Sequence, residues 1–391
     1  MSDTFAVKYL HSGMRGAPVL KGQAGTLLAV LDALLVNGWG SATAASVTVA
    51  SGVATAAFAS TTEWEVGAVI EVSGATPGAL NGPARVLSST GNAITFTTAA
   101  PDGAATGTIA IKYASAGWGK PYTGSNMAAY RSQDMQSPRH YLRVRDSYGK
   151  YATVCGYETM TAISTGTGRF SRNANLDSNQ SVWEKSLVAD ATPIPYLVAA
   201  DSRAVLIAMA CGASSGATYV TSNVRGFGDP IPLAPSGDAW CTMLSASVSG
   251  ANSVADGALS GGTGVNDGSV VAARAASGVA GVQTLKPAPV AGDAGAASGA
   301  DVTFGPAPSA ANGAVLLSAM RLALADGTTR AMVPGVYHVP QSGAAALFAR
   351  GDVHFGAGEL EGRRLYAVNV GTSVYLADGV AFVDLTGPWR P

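Results

Sequence analysis

The sequence predicts a mainly β chain, with several sandwich or barrel units, one amphipathic N-terminal helix and long Gly/Ala-rich loops. Three observations carry that expectation. Short runs of β-branched and aromatic residues, punctuated by Gly and Pro, recur along most of the chain. Helical periodicity is convincing in one place, near the N-terminus. Residues 249–314 are dominated by Ala, Gly, Ser, Val and Pro.

The helix comes first. Leu27, Leu28, Leu31, Leu34 and Leu35 stand at i, i+1, i+4, i+7 and i+8, which is one apolar helix face. Thr26 is placed to cap its start and Asn37-Gly38 to stop it. The face must pack on a β domain of the same chain or on a neighbouring subunit. These five leucines are the candidate interface residues. Together with the lead-in, residues 1–44 are expected to form an arm and helix belonging to the main domain.

Residues 45–113 read as a small inserted β-barrel. Ser46–Val49, Ala68–Val72, Ile94–Thr97 and Thr106–Lys112 are strand-like, and Asn81-Gly82 and Thr90-Gly91-Asn92 supply turns. The chain leaves at Gly40 and returns at Gly117-Trp118. A self-contained module follows from this, one whose deletion leaves the remaining fold intact.

A main β domain is expected over 114–248, with strands at Tyr141–Val144, Tyr151–Cys155, Tyr196–Val198 and Val205–Met209. The last run is wholly apolar and fits a strand buried on both sides. In the basic run Arg139–Arg145, strand period puts Arg139, Tyr141, Arg143 and Arg145 on one face, expected to be solvated. Residues 249–314 are expected to be irregular and supported by interfaces. A C-terminal β domain over 315–391 contains strands at Val336–Val339, Arg364–Val368, Val374–Leu376 and Val380–Val383, with a tight turn at Asp378-Gly379.

Composition bears on partners. The chain has 391 residues, is 47% hydrophobic and only 13% charged, and carries net charge −1. Charged side chains normally keep a lone protein soluble, so this composition points to homo-oligomerisation and packing against other chains. No basic stripe suited to nucleic acid is present. The longest apolar run, Leu27–Val36, contains Asp32 and is too short to insert in a membrane. Met1-Ser2-Asp3-Thr4 lacks the basic start of a signal peptide. Cys155, Cys211 and Cys241 have no metal or disulfide spacing and read as buried hydrophobes of a protein made in a reducing cytoplasm.

No catalytic or metal-binding pattern stands out. His11, His140, His338 and His354 lack the spacing of a zinc site. The run Gly261–Asp267 resembles a single turn of a calcium-binding β-roll, but such sites need stacked repeats. Glu158, Asp177 and Glu184 read as solvated loop acids rather than a glycosidase pair. No catalytic, cofactor or metal residue is therefore assigned. Trp118, Tyr122, Tyr130, Trp183 and Trp240 are candidates for stacking on a sugar, but core anchoring or subunit contact is the favoured reading, since aromatics dominate both cores and interfaces.

Several blocks resemble a family of tailed-bacteriophage virion structural proteins. They are Tyr9–Gly40, Gly117–Ser132, Gly156–Met160, Trp183–Ser186, Gly226–Pro230, Pro334–Tyr337 and Asp384–Arg390. Within the inserted module, Val66–Ile70, Val72–Ala75 and Leu80–Gly82 are similar to the β-barrel insert of ubiquitin-activating enzymes, with Ala68 where that pattern carries an acid. The resemblance implies a non-enzymatic structural subunit of a virion, assembled in the host bacterial cytoplasm, in the tail or baseplate. A head decoration protein or head fibre is the alternative of the same class. A tail-tip adhesin binding a host-surface receptor or glycan is the alternative of another. The partners implied are copies of the chain and other virion proteins.

Overall fold

Antiparallel strands are the main element of the computed structural model, which describes residues 5–171, 181–211, 222–233, 240–247, 258–260, 271–275, 282–289, 304–324, 326–371 and 379–390. The protein is mainly β, with multiple antiparallel sheets and one short helix near the N-terminus.

The inserted module closes on itself. Trp39–Thr43 pairs with Ala110–Tyr113, and Ser46–Ala50, which follows the first strand after a two-residue bend, pairs with Gly103–Ala104. The ring continues through Val53–Ala57, Ala93–Thr97, Gly82–Thr90 and Val69–Ser73, and returns to Ala110–Tyr113. Alternation does the sorting. Val47, Val49, Ala54, Ala56, Ile94 and Phe96 are buried, while several of their immediate neighbours are exposed. The ring begins at Trp39, six residues before the expected boundary at 45.

A larger sheet organises the rest. Its strands run in the order Lys8–His11, Tyr196–Ala200, Ala204–Met209, Val224–Gly228, Trp240–Ser245, Val271–Ala275, Val282–Pro289, Ser318–Ala323, Thr329–His338, Gly379–Asp384, Arg364–Val370 and Val353–Phe355. Every residue of Ala204–Met209 is buried, as its uninterrupted apolar sequence requires. Two expectations change here. The 249–314 segment supplies two strands, Val271–Ala275 and Val282–Pro289, which join the halves of the sheet. The expected boundary at 315 is therefore not a sheet boundary. Val374–Leu376, Asp378 and the run at 261–267 lie outside the described residues; Val370 pairs directly with Gly379.

A second sheet takes Gly119–Gly124, Met127–Arg131, Tyr141–Arg145, Tyr151–Tyr157 and Val182–Glu184. Leu142, Val144, Ala152 and Val154 point to the main core. Its opposite face carries Ala129, Tyr141, Cys155 and Tyr157, packed with Met160 of the hairpin Thr159–Ala162/Thr165–Thr167. The alternation expected around Arg143 is present, but its face is not solvated. Arg143 and Tyr141 are buried, and the Arg131 guanidinium lies 4.8 Å from the centre of the Tyr141 ring.

The helix Thr26–Leu31 continues as a π-helical stretch, Asp32–Asn37, against Lys8–His11, Tyr196–Ala200 and Gly119–Gly124. Thr26 does not cap it. Its hydroxyl donates to the carbonyls of Lys21 and Gln23, at 2.9 Å each, and the capping acceptor is the Asp146 carboxylate on the Leu27 N–H at 2.9 Å. Asp32, the one charge in the apolar run, meets Lys120 Nζ at 2.7 Å and Tyr130 Oη at 2.8 Å. Gly38 ends the helix with φ of 71°, where a Cβ would collide with the Tyr113 carbonyl. No helix among the described residues is long and apolar enough to cross a membrane.

Candidate functional site

The expected interface leucines are not available to a neighbour. Leu27, Leu31, Leu34 and Leu35 are fully buried in a core shared by helix, ring and large sheet, and Leu28 is half-buried against it. The helix face is spent on the chain's own β structure, so the subunit-contact reading of these residues is corrected.

Of the candidate stacking aromatics, Trp118, Tyr130 and Trp183 are core anchors and not sugar platforms. Trp118 is buried and donates from Nε1 to the Asp201 carbonyl at 2.9 Å. Trp183 is buried and donates to the Ser245 carbonyl at 2.7 Å. A buried indole with its N–H satisfied is a core anchor. Tyr130 is buried against Asp32. Tyr122 is half-buried, with its hydroxyl donating to the Met160 carbonyl at 2.7 Å. Trp240 lies in the strand Trp240–Ser245, and its side chain is outside the described residues.

Two polar clusters tie distant segments together. At the junction of ring and sheet, Glu65 faces His11 Nε2 at 3.8 Å and Arg364 Nη2 at 3.4 Å. Arg364 also donates to the Tyr9 hydroxyl at 3.2 Å and to the Val66 carbonyl. Its guanidinium occupies the space where a Cβ on Gly67 would sit, and Gly67 has φ of 85°. The neighbouring His11 imidazole, with the Arg364 guanidinium, holds the Glu65 carboxyl below the usual carboxylate value. Deeper in the sheet, Asp201 and Asp229 are paired with Arg390 at 3.0 Å and Arg203 at 3.4 Å. Burial pushes the Asp229 carboxyl up to about 7, against the pull of Arg390, Ser137 and Arg203. Both clusters balance charge and fasten structure.

An open site lies among the described residues. A cavity of about 760 Å³ lies beside the edge strand Val353–Phe355. Its walls come from strands that the sequence made legible, Arg364–Val370 and Gly379–Asp384, and from Leu317, Phe348 and Leu360. Phe348 meets His354 at 4.8 Å and Phe382 at 5.2 Å between ring centres, both edge-on. Arg363 is fixed to Asp384 at 2.8 Å and to the Pro388 carbonyl at 2.9 Å. Phe355, at 78% exposure, stands at the mouth. This arrangement suits the packing of apolar side chains. Sequence reasoning passed over Val353-His354-Phe355 because three residues show no period; its signal is an aromatic within a short glycine-bounded run, Gly351–Gly356.

Among the described residues, no three His, Cys, Asp or Glu side chains group as a metal site would require. No protein-family model, no curated protein and no solved structure matches this chain.

Proposed function

We propose that the protein is a non-enzymatic structural subunit of a tailed-phage virion, in the tail or baseplate, assembled in the host cytoplasm. It works by homo-oligomerisation and by packing on other virion proteins.

One observation carries this reading. The sequence blocks that resemble virion proteins are far apart in the chain, yet they touch one another in the fold. Lys185, in the block 183–186, donates to the carbonyl of Gln23 in the opening block. Trp118 packs edge-on against Phe227 at 6.3 Å. Arg390, near the C-terminus, donates to the Asp229 carbonyl at 2.7 Å. Trp389 fills the space over Gly335. Residues that resemble a family in order and also converge in space behave as one folded framework, which supports a resemblance of architecture over chance matches. A glycan-binding tip gains no support from Trp118 and Trp183, since both are buried.

The test is mass spectrometry of purified particles of the phage that encodes the chain, followed by imaging with labelled antibody. Presence in the particle at a low symmetric copy number, with label on the tail, is the expected result. Absence from purified particles overturns the reading, and label over the whole head moves it to a decoration protein.

A further inference from the structure

Val353–Phe355 is an open edge of the large sheet. It pairs with Arg364–Val370 on one side, and no described strand pairs with it on the other. The ladder fixes which backbone groups face the open side. Ala367 N–H donates to the Asp352 carbonyl, and Gly356 N–H donates to the Arg363 carbonyl. These are hydrogen-bonded pairs, and alternation makes His354–Leu365 the third. The N–H and C=O groups of Val353 and Phe355 therefore point outward.

Natural edges are usually guarded by charge, proline or a bulge. This strand has none of these between Val353 and Phe355, and it presents a phenyl ring at 78% exposure.

We propose that a second copy of this chain docks here, antiparallel, about a two-fold axis at His354. The proposal deepens the homo-oligomer reading above and rests on it. The edge is self-complementary. Centring the axis on His354 sets Val353 of each strand opposite Phe355 of the other. Every outward N–H and C=O on both strands is then paired by one symmetry operation. A β-branched residue faces an aromatic one across the strands, a favourable cross-strand pair. Leu316 and the apolar cavity beside Phe355 extend the contact surface.

The register makes a sharp test. In a non-hydrogen-bonded antiparallel pair the Cα atoms lie about 4.5 Å apart, within disulfide range. His354→Cys in the full chain should give a covalent dimer under mild oxidation, while Phe355→Cys, which faces Val353, should not. Cys155 and Cys211 are buried and Cys241 is half-buried, and wild type controls for all three. Phe355→Pro deletes an outward N–H without touching the ladder to Arg364–Val370. It should raise the dimer dissociation constant in sedimentation by on the order of tenfold, with an unchanged circular dichroism spectrum.

A monomeric wild type with no His354→Cys dimer overturns the proposal. So does equal cross-linking of both cysteine variants. So does capture of a different virion protein by His354→Cys. A chain found in particles but monomeric and uncrosslinked overturns this edge and leaves the structural-subunit reading standing.

Discussion

Asp146 caps a helix at Leu27, 119 residues before it in the chain. One carboxylate oxygen accepts the Leu27 N–H at 2.9 Å, and the other pairs with Lys185, whose side chain is fully buried like that of Asp146. Lys185 in turn donates to the Gln23 carbonyl. Three segments that are remote in sequence meet at one ion pair. Burial raises the Asp146 carboxyl and lowers the Lys185 ammonium, and the attraction between the two groups opposes both shifts.

Removing one partner leaves a buried charge unpaired. Lys185→Ala should destabilise the chain by about 3–5 kcal/mol, read as a shift in the urea unfolding midpoint. Combining Lys185→Met with Asp146→Asn should recover part of that loss. A single variant with an unchanged midpoint would mean that the pair does not form in solution.

Leu31 has no exposed surface. Leu31→Ala should cost about 2–5 kcal/mol through lost transfer energy and the cavity left behind. The same unfolding curve measures it. Because Leu31 belongs to the chain's own core, the loss should appear in the free chain at any protein concentration, unlike an interface effect.

Glu65 makes the docking of ring on sheet pH-dependent. Its carboxyl is depressed, chiefly by the neighbouring His11 and then by Arg364. A depressed carboxyl contributes stability above its unfolded value of about 4.3, and that contribution is lost as pH falls through the folded value. Wild type should therefore exceed Glu65→Gln in stability at pH 7, with the two converging in acid. A constant difference down to pH 3 would sink the assignment.

Asp229 should show the opposite sign. Its carboxyl is raised to about 7, chiefly by burial. The contribution is full below the unfolded value of about 3.9 and is lost as pH rises through about 7. Asp229→Asn should lack this fall between pH 4 and 7. Thermal midpoints of both proteins across that range decide the matter.

The ring is joined to the rest of the molecule more firmly than a spacer would be. Arg15 lies over the Trp64 ring at 5.2 Å, and Arg364 donates to the Val66 carbonyl. Deleting 45–113 removes Trp64 and Glu65, and with them the contacts to Arg15 and Arg364. The shortened chain should melt below the full one, contrary to the self-contained module that its boundaries suggest. Equal melting of the two chains would restore that picture.

Local pattern was enough for much of the fold. The apolar run Val205–Met209 fell within Ala204–Met209, a strand buried at every position. The leucine spacing from Leu27 to Leu35 marked a real helical segment, and two walls of the cavity, Arg364–Val370 and Gly379–Asp384, stood out as strands. What covers a face was not legible. The face of Arg143 was expected to be solvated, yet Met160 and Tyr157 pack over it. The edge at Phe355 was missed because a three-residue strand is too short to show alternation.

By itself, the sequence determined which residues are apolar, at what period, and where Gly and Pro interrupt them. That sets strand or helix locally, because side-chain direction follows from spacing along the backbone. Only the tertiary structure decided what each face meets: that Leu27–Leu35 is core rather than interface, that Val271–Ala275 and Val282–Pro289 carry one sheet across a segment expected to be irregular, and that Asp146 rather than Thr26 caps the helix. The reason is physical. Burial and pairing are properties of contacts between residues far apart in the chain, and a period fixes the direction of a side chain without naming its partner.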